Sequence, residues 1–469
     1  MMQNTKPAAD KSFLRRVFFL YFLFSYAILS TTFFWKEGAP VWVGTAAFSL
    51  KKETPKLFRL EVRRFAFIIR KGCSLMNLKR QLFSLYFSSF FSGLRITDAV
   101  WVALLAARGF PLWQIGLAEG IFHAVSLVCE VPSGMAADLL GRKKTLLLGS
   151  VFVVTCNLLM AFAPSIGFVS LAMVLNALAN TMFSGTDAAL AYDSLKQCGR
   201  EEEYLSISAD RSQLQMLAGA VGSLASTLHR WLHFTGFYLL SAGFETTSGL
   251  ASLLLTEPVV TEAQAGRERQ SLRTLPARFV QLMRDSASAL HASPAAVRII
   301  AADAFISIPS YLTKMFLQQR LVELGWNTAL LFVPLLCSGL AAVLGTELGR
   351  RVCPHSLRQL YAVCAPVCGL GAVLVGCSPA PGAIAGSMLV QGSLSVWLLH
   401  AEQQLNDAIP SDQRATLISV DSMAYSLLMI PASPLVGAVG DALGQAGAGL
   451  TVLGILVAAS ALRAVSRRM

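Results

Sequence analysis

Charge is scarce in this sequence. Only 14% of the 469 residues are Asp, Glu, Lys or Arg, and 54% are hydrophobic. A soluble globular domain carries about one quarter charged residues. So few charges cannot cover the surface of a water-soluble chain of this length, and apolar runs near twenty residues recur along it. That combination marks a polytopic helical membrane protein. Other absences narrow the chemistry. The nine cysteines contain no CxxC, and most of them, such as Cys129, Cys156, Cys337 and Cys377, sit inside apolar runs. Cys364 and Cys368 share a helix face, but two sulfurs do not make a zinc site. Buried, unpaired thiols are expected, with no metal. No GxxxxGK[ST] occurs, which removes support for nucleotide-driven pumping. No nucleophile–base arrangement at helical spacing suggests catalysis, so neither an enzyme nor a cofactor is expected.

The basic balance is local. The net charge is +12, yet residues 1–75 hold 13 Lys/Arg against 4 Asp/Glu, while residues 76–469 hold 26 against 23. The excess belongs to an N-terminal extension and does not argue for nucleic-acid binding. Residues 17–34 of that extension are apolar enough to span, but basic residues flank them on both sides. They lack the small-residue cleavage site of a signal peptide. One reading is that translation begins at Met76, so that residues 1–75 are not part of the native protein; the other is an interfacial hydrophobic anchor.

From Met76 onward the hydropathy pattern predicts twelve spans, at 82–107, 112–137, 145–163, 167–192, 205–228, 234–256, 299–319, 327–348, 358–377, 383–405, 415–439 and 446–463. Backbone groups in hydrocarbon must bond internally, so each run is read as a helix. With Met76 in the cytoplasm and alternating crossings, cytoplasmic segments hold 20 of the 26 basic residues of 76–469 and outside segments three. The positive-inside rule then places both termini of this core in the cytoplasm of a cell-membrane protein. The longest connection, 257–297, is charged, and 271–290 is amphipathic. It divides the core into a bundle over 76–256 and a second over 298–469. The halves echo each other. GRKK at Gly141 answers GRR at Gly349, and LSISADRS at Leu205 answers LISVDS at Leu417, at offsets of 208 and about 211. The expected fold is all-α, with twelve transmembrane helices in two six-helix pseudo-repeat bundles.

The loop after the second span reads PSGMAADLLGRKK. Gly134, Asp138, Gly141, Arg142 and Lys143 there resemble the loop signature of the major facilitator superfamily of secondary transporters. The resemblance extends over about 76–469 through the twelve spans, the long middle loop and the weaker echo after span eight. EVPSG at 130–134 and AYDSLK at 191–196 resemble a bacterial branch of that family. The echo departs from the pattern, with Thr346 or Glu347 near the Asp place and Ala342 near the Gly. Physically, Gly134 lets another helix approach closely, Asp138 can bond free backbone N–H groups or a helix N-terminus, and Gly141 permits a tight reversal. Arg142 can pair with a carboxylate at the end of span four, Asp193 above all. Such a pair is read as a lock on the cytoplasmic side; the plainer reading is that these charges only retain the loop there.

Ionisable groups inside a membrane are costly and are functional candidates by default. Span two carries Glu119, His123, Ser126 and Glu130 on one face. Span one carries Ser88, Ser92 and Arg95, with Asp98 about sixty degrees round. Asn176, Asn180, Ser184 and Asp187 form a stripe on span four, as do Asp303, Ser307, Ser310 and Lys314 on span seven; Gln391, Ser395 and Glu402 lie along span ten. The resemblance implies that spans one, four, seven and ten line a central cavity. Arg95 cannot lose its proton and needs a counter-charge, for which Asp98, Glu119 and Asp187 are available. Asp98 and Glu119, then Asp303, are the candidates for loading a proton; the rival reading of each is a static ion pair that fixes packing. Glu130 reads as structural, and His123 as a hydrogen-bonded core residue. GxxxG pairs at Gly116–Gly120, Gly382–Gly386 and Gly440–Gly444 suit close helix packing.

The expected function is secondary active transport of a small organic solute by alternating access. A monomer in the lipid bilayer would be driven by protons, and the resemblance implies export. A non-transporting membrane sensor or assembly partner is the alternative.

Overall fold

The computed structural model describes residues 77–260, 284, 294–352, 354, 356–407 and 414–466. The extension before Met76, the amphipathic stretch 271–290 apart from residue 284, and the side chain of Asp138 lie outside the described residues. Among those described, every regular element is helical. The first group comprises α1 (Leu78–Gly93), α2 (Trp101–Ala107), α3 (Leu112–Leu140), α4 (Arg142–Phe162), α5 (Ile166–Phe183), α6 (Thr186–Gln197), α7 (Tyr204–Ser223) and α8 (Phe234–Leu253). The second comprises α9 (Pro294–Glu323), α10 (Phe332–Arg351), α11 (Leu357–Cys377), α12 (Ala380–Asp407), α13 (Arg414–Ala442) and α14 (Ala446–Ser466). Eight stretches among the described residues are long and apolar enough to cross a membrane: Leu112–Glu130, α4, Ile166–Gln197, α9, Thr328–Arg351, α11, Ala380–Leu405 and Val420–Ala442. The helices follow the order of the twelve predicted spans.

Local chemistry sets several ends. Asn77 caps α1 by accepting from Arg80 N at 3.2 Å, and Ser356 caps α11 by accepting from Gln359 N at 3.3 Å. Gly141, at φ +98°, separates α3 from α4, a conformation in which a Cβ would be strained. Two predicted spans are interrupted. Span one stops at Gly93 and resumes at Trp101, with irregular turns between, and span four breaks at Ser184–Gly185, where Gly185 has φ +69°. The first break has a packing cause. A Cβ on Gly93 would meet Ala218 Cβ at 3.0 Å, and one on Gly222 would meet Arg95 N at 3.0 Å, so α7 presses on the chain there. The freed backbone groups find a partner across the molecule. Val102 N donates to Gln318 Oε1 at 3.2 Å, and Gln318 Nε2 donates to the Asp98 carbonyl at 2.7 Å.

Within the first group α1 packs on α7 and α8, and α4 on α5 and α8; within the second α11 packs on α12 and α14, and α9 on α12, α13 and α14. The groups meet chiefly through α3 against α13. Both glycines of the Gly116–Gly120 pair face that seam: a Cβ on Gly116 would strike the Ser433 carbonyl, and one on Gly120 would lie 2.8 Å from Ile430 O. Gly437 is pressed in the same way against Leu112. Gly134 behaves otherwise. The expectation of a helix close against it is not met among the described residues, where a Cβ on Gly134 would find nothing within 4 Å.

Candidate functional site

A chamber of about 1260 Å³ lies between the two groups of helices. Its walls come from α1, the break after it and α2, from α3 to α8, and from α9, α10 and α12. Contacts between the groups shut one end, called here the Gly109 end. There the Asp441 carboxylate of α13 accepts from Leu112 N and Trp113 N, at 3.0 and 2.8 Å, at the N-terminus of α3. Ser433 Oγ donates to Gly116 O at 2.8 Å, and Ser226 Oγ to Ala329 O at 3.1 Å. The lining continues the other way, toward the Gly141 end, as far as Leu85, Ser252 and Leu255.

Of the residues singled out by sequence, Arg95, Asp98, Glu119, Asn176, Asn180, Asp187, Lys314 and Gln391 all line this chamber. Arg95 and Asp98 stand in the break after α1 rather than on a regular helix, so the angle expected between them does not apply. Both side chains are open to the chamber, as is that of Lys314. Asp187 is the ion-pair partner of Arg211, whose guanidinium also donates to Ser89 Oγ at 2.9 and 3.1 Å. Asp187 is thus occupied and does not serve Arg95. Gln391 Nε2 donates to Ser310 Oγ at 2.7 Å and ties α12 to α9.

Glu119 and His123 form a second unit at the seam. Glu119 Oε1 is 3.4 Å from His123 Nε2, and the residues are only 2% and 5% exposed. The imidazole has T-shaped contacts with Phe122, Tyr311 and Tyr425, at centroid distances of 5.3, 6.0 and 5.4 Å. Among the described residues neither ring nitrogen of His123 has a hydrogen-bond partner. The expectation of a hydrogen-bonded core histidine is therefore corrected: the residue is in the core, but rings rather than polar atoms hold it, apart from its contact with Glu119. Tyr311 and Tyr425 belong to the second group of helices, so this ring cluster crosses the seam.

Besides His123, which does not line the chamber, two predicted cavity residues lie elsewhere. Asp303 accepts from Trp397 Nε1 at 2.7 Å, and neither it nor Glu402, which is exposed, lines the chamber. The polar stripe on α9 turns its Lys314 part to the chamber and its Asp303 part to α12. At the Gly141 end Arg142 pairs with Asp193 and donates to Ala189 O at 2.6 Å. Both partners belong to the first group, so the pair ties α4 to α6 and bears on a lock between groups only indirectly. Glu130 accepts from Ser184 Oγ at 3.3 Å beside the span-four break.

Sequence reasoning missed four residues. Glu257 accepts from Arg142 N and Lys143 N, both at 2.8 Å, and so caps α4 at the loop motif. Glu245 of α8 lines the chamber, is 7% exposed and accepts from Ser150 Oγ at 2.8 Å. Arg211 and Gln318 are the others. None lies on one of the stripes that the sequence search weighted, and Arg211 and Gln318 stand among other polar residues of their runs; a carboxylate alone in the apolar sixth span is the signal that would have found Glu245. Among the described residues no three His, Cys, Asp or Glu side chains are grouped to hold a metal ion.

Comparison with known proteins is consistent across the chain. The family profile of the Major Facilitator Superfamily matches residues 82–432. The uncharacterized MFS-type transporter YxaM of Bacillus subtilis (strain 168) is 25% identical over 193 residues, which cover 40% of this chain and 47% of that protein. The match thus spans about half the length of that relative. Among solved structures, the nucleoside transporter NupG superposes with a TM-score of 0.61 at 16% identity, covering 83% of this chain and 98% of its own. A POT family transporter in complex with a thioalcohol conjugated peptide gives 0.58 at 14% identity, covering 82% and 96%. At these identities the likeness shows the fold alone.

Proposed function

The chain belongs to the Major Facilitator Superfamily, and from that premise we propose that it is a secondary active transporter moving a small organic solute by alternating access. One observation carries the reading: a chamber between the two groups of helices, sealed at the Gly109 end and lined by Arg95, Asp98 and Lys314. A static scaffold has no use for three open charges at the centre of an apolar protein, because each costs free energy there. The Lys/Arg bias sets the Gly141 end in the cytoplasm, so the chamber faces inward in this state. Residues 76–256 and 298–469 are the two bodies that rock, and the segment 257–297 joins them on the cytoplasmic side of the cell membrane.

The driving ion is the proton. Asp98 is open to the chamber, and Arg95, Lys314 and Glu119 are the charged groups within electrostatic reach of it. Any rearrangement that changes their distances changes its hold on a proton. Glu119, buried against His123 and the rings of Tyr311 and Tyr425, carries the effect to the seam. The motif at Gly134–Lys143 sets the cytoplasmic gate, with Arg142 and Asp193 fixing α4 against α6 beside it. Export is the direction that the family resemblance implies.

Whole cells with and without the protein, exposed to a panel of toxic and nutrient compounds, identify a solute. Inside-out vesicles then test the mechanism. Uptake of that solute should follow an imposed proton gradient and collapse with an uncoupler. Asp98→Asn should abolish coupling; unchanged proton-driven flux in that variant would remove Asp98 from the mechanism, and flux indifferent to the gradient would remove the proton.

A further inference from the structure

The chamber's charges point to a class of solute. Six charged side chains line it: Arg95, Asp98, Glu119, Asp187, Glu245 and Lys314. Three are engaged. Asp187 is paired with Arg211, Glu119 is set against His123, and Glu245 is buried beside Ser150. The three left open are Arg95, Asp98 and Lys314. Neither cation has an ion-pair partner within 4 Å or a side-chain hydrogen bond among the described residues, and they come from opposite groups of helices. Arginine keeps its charge under all physiological conditions. Among these three open side chains, two cations stand against one carboxylate, an excess of positive charge when Asp98 is ionised and a larger one when it is protonated; Glu119 and Glu245 stay buried in the wall in both states.

Resting on the transport reading above, we propose that the solute carries a carboxylate or another single anionic group, held at Arg95 and Lys314 in place of the charge of Asp98. Trp101, Phe122 and Tyr311 supply ring faces in the same chamber for an apolar or aromatic body. The charge balance gives the coupling. With Asp98 ionised and the site empty, the open charges sum to one positive. With Asp98 protonated and a monoanion bound, they sum to the same. Loaded and empty carriers then cross with equal charge, so the anion and the proton move together. Ionised Asp98 competes with the solute for both cations; protonated Asp98 releases them. The remaining titratable groups within electrostatic reach of Asp98 are Glu119 from α3, Tyr238 from α8 and Tyr311 from α9; His123 stands behind Glu119, and Glu245 of α8 lies within reach of Arg95. Under an inward proton gradient such symport loads the cell, which departs from the export that the resemblance implies.

The test is equilibrium binding to the purified full chain in nanodiscs, which needs no flux. The probes are 2-naphthoate, its neutral amide and 2-naphthylmethylammonium, titrated calorimetrically from pH 5 to pH 8. Naphthoate should bind at least about tenfold tighter than the other two, as expected for a charge-assisted contact. Its affinity should rise by up to about tenfold per unit fall in pH where one proton is taken up per anion. Asp98→Asn should bind naphthoate with that slope gone. Arg95→Gln and Lys314→Gln should each weaken it by about tenfold or more, and Arg95→Lys should restore part of the loss, which separates a charge contact from misfolding. Tighter binding of the amine or amide, equal binding of all three, a flat pH profile in the unmodified chain, or no naphthoate binding at millimolar concentration would each overturn the inference. The transport reading fails separately. Proton-driven flux of a cationic or neutral solute would leave it standing while sinking the anion; naphthoate binding without flux of any solute would do the reverse.

Discussion

Single residues show how an ionisable group survives in this interior. Arg211 is nearly enclosed, and its guanidinium is satisfied by Asp187 and Ser89. Removing one partner leaves a charge without compensation, which costs more than the pair contributes. Asp187→Asn should therefore lower stability by about 1–3 kcal/mol, discounted because the Asp187 side chain is 35% exposed. Asp187→Asn combined with Arg211→Gln should recover most of that loss, and thermal unfolding of the purified variants checks both. The stripe on span four made Asp187 legible in the sequence. Its partner was not legible, because Arg211 lies on another helix, and periodicity gives the faces of a helix without the neighbour each face meets. Asp303 is the converse: a plausible stripe position that α12 claims through Trp397.

Helices decide which way the protein is open. The α3–α13 seam rests on Gly116, Gly120 and Gly437, where backbone meets backbone, and on the Asp441 carboxylate at the N-terminus of α3. Weakening this clasp should favour opening at the Gly109 end. Asp441→Asn removes a charge from a helix N-terminus, an effect of about 0.3–2 kcal/mol, so the population open at that end should rise from about twofold to thirtyfold. A cysteine at Met429, which is fully buried in the seam, should react correspondingly faster with an impermeant maleimide, and Asp441→Glu should return the rate toward its original value. Gly116→Val should act in the same direction by forcing the helices apart. The GxxxG pairing at this seam was visible as a pattern; which helix it met was not. The break in span one escaped the hydropathy reading, because that reading weighs a whole run and the apolar residues on either side outweigh Arg95, Thr97 and Asp98. The pressure of α7 and the amide of Gln318, which decide the conformation there, come from outside the segment.

Across the whole molecule, orientation is the property that labelling tests most directly. Cysteines replacing Lys144 and Arg350 should be labelled from the same face of the membrane, and one replacing Trp231, which is 81% exposed, from the opposite face. Labelling of Lys144 and Arg350 positions from opposite faces would break the twofold arrangement on which alternating access depends.

Sequence alone determined that this chain lives in a membrane and that it is helical, because burial in lipid acts on every residue of a run and leaves its mark in composition, period and loop charge; the family rests on the loop residues Gly134, Asp138, Gly141, Arg142 and Lys143 and on the profile match over residues 82–432. It also named most of the charged residues that reach the chamber, since a charge kept in an apolar run must face something polar. Tertiary structure decided which of those charges are engaged and which are open, where two of the rods break, and which end is shut. Those outcomes depend on contacts between residues far apart in the chain, such as Asp441 with Leu112 or Arg211 with Asp187, and no local pattern encodes the distance between them.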